Sequence, residues 1–158
     1  MPEFTTELML TSPRHTAEFA ARLAAELGAG DVLLLEGGVG AGKTHFARSL
    51  IQSLLADPED VPSPTFTLVQ SYAAPDFEIW HADLYRLSSP DEVIELGLVD
   101  AFEDALCLVE WPDRLAELAP DSALTLHFSM SEEIGRRQLR ISAEDRRWQP
   151  LIEAAADG

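Results

Sequence analysis

Eight consecutive residues, Gly37-Gly38-Val39-Gly40-Ala41-Gly42-Lys43-Thr44, restrict the architecture of this chain more than any other stretch. An apolar run at residues 31–36 precedes them, short enough and apolar enough for a strand buried on both faces. After them Phe46, Ala47, Leu50, Ile51, Leu54 and Leu55 recur at helical spacing and make one apolar stripe. Strand, glycine loop and helix in that order is the setting in which the pattern G-x-x-x-x-G-K-[ST] marks a phosphate-binding loop. Glycines let the backbone curl until successive N–H groups point inward, and the helix N-terminus adds its partial positive charge. Lys43 is the chain's one lysine, the other ten Lys/Arg positions being arginine, so no other side chain offers a compact ammonium. The expected roles are phosphate contact from Lys43 and ligation of Mg²⁺ by the Thr44 hydroxyl.

The rest of the chain supports an α/β fold. Ser12-Pro13 reads as a helix cap followed by proline at N1, and Phe19, Leu23 and Leu27 continue that helix until Gly28 ends it. An acidic, proline-broken loop covers residues 57–64. Residues 66–72 and 77–83 form two strands of a hairpin turning at 73–76. Ser89-Pro90-Asp91-Glu92 caps a short helix. Residues 106–110 give a second buried strand. Leu124, Leu126 and Phe128 alternate with polar residues, and Gly135 turns that strand into residues 137–142. The tail from Ala143 is helical but interrupted at Pro150. Both hairpin turns are too short for a crossover helix, so the sheet is mixed: parallel around the glycine loop, with antiparallel hairpins added and helices flanking it. At 158 residues a single domain, 1–158, is expected, with its core at about 8–142 and a C-terminal tail at 143–158.

Composition excludes several classes. No apolar run reaches the roughly 20 residues that span a bilayer, and no basic-then-apolar leader is expected, so the cytoplasm is the expected compartment. Cys107 is alone, which excludes an intrachain disulfide, and its apolar surroundings suit a buried small hydrophobe. Net charge is −17, a field that repels phosphate backbones and argues against independent nucleic-acid binding. Arg136, Arg137, Arg140, Arg146 and Arg147 cluster late in the chain, and two readings stand for them. They dock a partner, nucleotide or RNA, or they balance local acids on a solvated face.

Nucleotide hydrolysis needs acids at strand ends near the phosphates. Glu110 closes the run 106–109, and Asp83 closes residues 79–82 with His81 two residues before it on the same strand face. Each could instead merely cap its strand, but beside a phosphate loop the functional reading is preferred. Guanine selection through Asn-Lys-x-Asp is closed to a chain with no asparagine and no second lysine, so adenine nucleotides are expected and a regulatory GTPase is not. A small-molecule kinase remains the alternative. The arginines lie too late in the chain for a lid of that kind.

Four motifs in order carry a resemblance: the Gly-x-Gly-Ala-Gly-Lys-Thr loop, Ser63-Pro64-Thr65-Phe66-Thr67-Leu68, His81-Ala82-Asp83-Leu84-Tyr85-Arg86 and Leu108-Val109-Glu110-Trp111-Pro112. Together they resemble the TsaE (YjeE) family, ATPases of bacterial tRNA threonylcarbamoyladenosine biosynthesis, over about residues 11–140. The resemblance implies ATP and Mg²⁺ as cofactors, with a nucleotide site formed by Gly38, Val39, Gly40, Ala41, Gly42, Lys43, Thr44 and His45. It further implies metal association for Thr44, Glu110 and Asp83, and a hydrolytic role for Asp83, Glu110 and Lys43. By the same resemblance Ser63 and Thr65 lie in a switch-like segment near the γ-phosphate, and Trp111 and Arg137 lie near the nucleotide, with Arg136 and Arg140 competing for the arginine's place. The implied partners are TsaB and TsaD, with tRNA reached only through the complex. The family's loop usually reads Gly-Asp-Leu-Gly-Ala-Gly-Lys-Thr-Thr. Here Gly38 and Val39 replace Asp-Leu and His45 replaces the second Thr, so one hydroxyl contact to the α-phosphate is in doubt.

Overall fold

A computed structural model describes residues 3–38, 42–57, 59–62, 64, 68–134 and 136–157. Among these residues the chain runs β1 (Phe4–Leu10), α1 (Pro13–Ala24), β2 (Val32–Glu36), α2 (Lys43–Leu54), β3 (Val69–Ala73), β4 (Glu78–Asp83), α3 (Pro90–Glu95), α4 (Leu98–Asp104) and β5 (Leu106–Glu110). A 3-10 segment (Pro112–Leu118), β6 (Leu124–Met130), β7 (Arg137–Ala143) and α5 (Trp148–Asp157) complete it. The strands form one sheet in the order β1-β7-β6-β2-β5-β4-β3. The four inner strands β6, β2, β5 and β4 are parallel, and β1, β7 and β3 attach antiparallel. The mixed sheet expected from the sequence is therefore the observed one.

Alternation along each strand sorts the core into two layers. Leu33 and Leu35, Leu106 and Leu108, Leu124 and Leu126, and Ile141 share one cluster with Phe19 and Leu23 of α1, Phe46 and Leu50 of α2, and Trp148 of α5. Val32 and Leu34, Ala82, and Cys107 and Val109 point the other way, onto Val93 of α3, Leu98 and Phe102 of α4, and Leu115. Strands covered on both faces must be apolar throughout, which is why β2 and β5 read as unbroken runs rather than alternations.

Local chemistry explains where the elements start and stop. Ser12 caps α1, its hydroxyl accepting from the His15 N–H at 3.1 Å, with Pro13 in the first turn. The helix stops at Ala24 rather than at Gly28, because the Asp31 carboxylate accepts the Gly28 N–H at 2.8 Å and draws the chain into a turn. Gly30 supplies the left-handed residue there, with φ +89°. Ser89 precedes α3 without a side-chain cap bond; instead the Glu92 carboxylate accepts from both the N–H and the hydroxyl of Ser88, each at 3.1 Å. Strand β3 begins at Val69, after Leu68 at φ +69°; the expected start at Phe66 and Thr67 lies outside the described residues, as does the turn at Gly135.

Two further corrections concern the ends. Helix α5 runs through Pro150 without interruption, because Pro150 sits in the first turn, where its missing N–H would have had no partner. Strand β1 was not anticipated; it pairs with β7 from Phe4↔Ala143 to Leu10↔Arg137. No helix among the described residues is long and apolar enough to cross a membrane.

Trp148 is wholly buried and donates its indole N–H to the Ser122 carbonyl at 2.7 Å, tying α5 into the main core. Trp148→Ala is expected to cost about 3–5 kcal/mol, read as a fall in the denaturant midpoint at unchanged slope. A loss below about 1 kcal/mol would mean that α5 is a dispensable appendage.

Candidate functional site

Parallel pairing brings three strand ends to one edge of the sheet. Leu35 of β2 and Asp83 of β4 both stand opposite Glu110 of β5, so the glycine loop and the two carboxylates leave the sheet side by side. In open α/β sheets ligands bind at this carboxyl edge. Gly42, at φ +106°, turns the loop into α2; a Cβ there would be strained and would sit 3.7 Å from the Arg137 guanidinium nitrogen. A Cβ added at Gly38 would meet no other atom within 4 Å. Val39, Gly40 and Ala41 lie outside the described residues, as do Ser63 and Thr65.

Lys43 opens α2 and is buried, 5% exposed. Its ammonium donates to the Gly37 carbonyl at 2.7 Å and lies 3.6 Å from the centre of the Trp111 ring. Loss of water around the ammonium lowers its pKa from the ordinary 10.5, and Glu110, Asp83 and Asp113 act against that shift in that order of strength. Trp111 adopts a left-handed backbone, φ 58° and ψ 56°, and carries the Tyr85 ring 4.8 Å from its own. The tryptophan is thereby held across the ammonium.

One residue on, the Thr44 hydroxyl donates to Glu110 Oε1 at 2.9 Å. Glu110 is buried, and its other oxygen lies 2.7 Å from Nε2 of His81, which is fully buried. Asp83 is buried too; its Oδ1 accepts the Tyr85 N–H at 3.0 Å, so it does cap the turn after β4. That capping accompanies its electrostatic action on Lys43 rather than replacing it. Lys43, Thr44, Asp83, Glu110 and Trp111 are thus brought together at one edge of the sheet.

On the other side of α2 a cleft of about 260 Å³ is lined by Pro13, Thr16, Gly42, His45, Phe128 and Arg137. His45 Nε2 lies 2.9 Å from the Pro13 carbonyl, so the residue standing in the second-Thr position links the starts of α1 and α2. Arg137 is the arginine beside the loop. Arg136, Arg140, Arg146 and Arg147 face Glu133, Glu7, Glu3 and Asp31 at 2.8, 3.3, 3.2 and 2.7 Å. For these four the acid-balanced reading holds. Cys107 is buried, and burial pushes its thiol up to about 12, with Glu78 adding to the effect, which leaves it no nucleophilic role.

Sequence reasoning missed the direct link between His81 and Glu110, the Tyr85–Trp111 contact, and the lining by Pro13, Thr16 and Phe128. A signal for the first existed. His81 and Asp83 share a strand face, and a parallel partner in register puts Glu110 on it as well.

The fold and the site define a mixed α/β protein built around a phosphate-loop signature. A model of the family described as "Threonylcarbamoyl adenosine biosynthesis protein TsaE" matches residues 10–139. The chain is 37% identical over 133 residues to the tRNA threonylcarbamoyladenosine biosynthesis protein TsaE of Rickettsia bellii, covering 84% of this chain and 92% of that one. It is 34% identical over 143 residues to the Bacillus subtilis protein of the same name, covering 90% and 88%. A crystal structure of YdiB from Bacillus subtilis superposes with a TM-score of 0.77 at 27% identity, covering 98% of this chain and 95% of that one. The chain belongs to the TsaE family.

The Lys43 ammonium tests how the site balances charge. Its pKa lies below the unfolded value, so the fold disfavours the protonated form. That cost is present at neutral pH and is relieved only as pH climbs past the folded value. Lys43→Met keeps about the same side-chain volume while removing the buried ammonium, so the ligand-free variant is expected to melt at or above the parent's Tm at neutral pH. A Tm several degrees lower would show that the ammonium stabilises the fold outright.

Proposed function

We propose that this chain binds ATP with Mg²⁺ and hydrolyses it slowly, as an accessory protein in the threonylcarbamoyl modification of adenosine 37 in tRNAs that read codons starting with A. It acts with TsaB and TsaD in the cytoplasm and reaches tRNA through them, and the whole chain, 1–158, serves as one ATPase domain. The observation that carries this reading is the Thr44–Glu110 hydrogen bond beside a buried lysine, at the carboxyl ends of parallel strands.

The residues suit a hard cation. Thr44, Glu110 and Asp83 offer oxygen donors, the set that Mg²⁺ accepts. Among the described residues no group of three or more His, Cys, Asp and Glu could hold a metal unaided. An ion there would be held by one or two carboxylates together with substrate phosphates. Thr44 and Glu110 would hold it, with Asp83 beside them, and when bound it would neutralise charge on the phosphate oxygens. The Thr44 hydrogen is already committed to Glu110, so the hydroxyl presents only lone pairs to a cation. On nucleotide binding Lys43 would exchange the Gly37 carbonyl for a phosphate oxygen. Asp83 supplies the second carboxylate at the same sheet edge and orients attacking water.

The cleft beside His45 and Arg137 is the place for the nucleoside. Its size and its Pro13 and Phe128 walls suit a base, and Arg137 lines the same cleft. Ser63, Thr65 and the loop residues Val39 to Ala41 are assigned to phosphate sensing and cradling on the family resemblance alone. The kinase alternative needs lid arginines, and four of the five late arginines are already ion-paired.

Hydrolysis of ATP by the chain mixed with TsaB and TsaD homologues tests the reading. Asp83→Ala and Glu110→Ala are each expected to lower kcat about a hundredfold, close to 2.7 kcal/mol, with a smaller change in nucleotide affinity. Normal turnover by either variant would remove that residue from the assignment. Robust phosphorylation of a small acceptor by the parent would favour the kinase.

A further inference from the structure

Glu110 accepts two hydrogen bonds, and only one of them comes from the nucleotide-facing helix. The second comes from His81, fully buried on β4 among apolar neighbours, Ile79 on its own strand face and Leu108 in register beside it. Against a carboxylate, which can only accept, the 2.7 Å contact assigns the donor role to His81 Nε2. The other ring nitrogen, Nδ1, is buried with no hydrogen-bond partner among the described residues. A histidine placed to satisfy the core would use both nitrogens, and leaving one bare costs stability that an aliphatic side chain would not. The residue therefore serves through Nε2.

The bond decides how Glu110 stands. Its two oxygens are held from opposite sides, Oε1 by Thr44 on α2 and Oε2 by His81 on β4. With Oε2 anchored, the carboxylate cannot rotate away from α2, and the Thr44 hydrogen stays directed at Oε1. We propose that His81 is a positioning residue. It fixes the Glu110 carboxylate so that the Thr44 hydroxyl presents its lone pairs to the divalent ion, and so sets the metal requirement of the nucleotide site. This inference rests on the Mg·nucleotide reading above.

Four variants and one spectrum test it. His81→Leu removes the donor, while His81→Gln keeps an N–H at similar reach. ADP affinity is measured by calorimetry across Mg²⁺ concentrations and again in EDTA. His81→Leu is expected to need about tenfold more Mg²⁺ and to lose about tenfold in kcat, with ADP affinity in EDTA within about twofold of the parent. His81→Gln is expected to recover most of the loss. In the Glu110→Ala background His81→Leu is expected to add nothing further, because the two act as one unit. A folded His81→Leu with the parent's Mg²⁺ dependence overturns the proposal, and so does a Gln variant no better than Leu.

Should the Leu variant fail to fold, ¹⁵N-histidine NMR of the unaltered chain decides. The Nε2–H tautomer is expected, with a resonance that moves when Mg²⁺ joins ADP and not with ADP alone; an Nδ1–H tautomer or an unmoved signal refutes it. If Glu110→Ala itself leaves Mg²⁺ dependence unchanged, the underlying nucleotide reading fails and the His81 proposal falls with it. If Glu110→Ala loses it and His81→Leu does not, only the His81 proposal falls.

Discussion

A buried ammonium sits at the carboxyl edge of this sheet, and the neighbouring side chains are arranged around its cost. Lys43 loses most of its water at the start of α2, and burial alone would drive it toward the neutral amine. Three carboxylates from different segments, Glu110, Asp83 and Asp113, counter that drive, while the Gly37 carbonyl takes one of its hydrogens and the Trp111 ring lies across it. Those acids can reach the ammonium because β2, β4 and β5 run parallel and end in register. A topology that reversed β4 or β5 would carry its carboxylate to the far edge.

The same edge keeps a balance between attraction and exclusion. A chain of net charge −17 repels a polyphosphate at long range, so under the proposed function affinity comes from close contacts inside the site. Among the described residues, Lys43, the backbone amides that open α2, and Arg137 beside Gly42 are candidates for those contacts. The other late arginines add little to this balance, since each already faces a carboxylate and their exposed pairs are screened by salt.

Much of this was legible in the chain because the decisive signals were local. Residues 106–110 read as a buried strand ending in an acid, and β5 spans those residues. Ser12-Pro13 announced α1 by cap chemistry that needs no tertiary context. Features that depended on distant partners were not legible. Strand β1 alternates weakly, with Thr5, Thr6 and Glu7 between its apolar ends, and it is a strand because β7 offers an edge 130 residues later. Pro150 looked like a helix break because the register of α5 is set by the burial of Trp148, which places the proline in the first turn. His81 showed its parity with Asp83 in the sequence, but its bond to Glu110 needed the β4–β5 register.

Calorimetric titration of Mg·ATP into the chain, alone and with TsaB and TsaD homologues, tests the central claim most directly. The account predicts saturable binding at one site per chain, weakened when Mg²⁺ is withheld and lost in Lys43→Ala. Absence of heat in both settings, or unchanged binding by the Lys43→Ala variant, would contradict it.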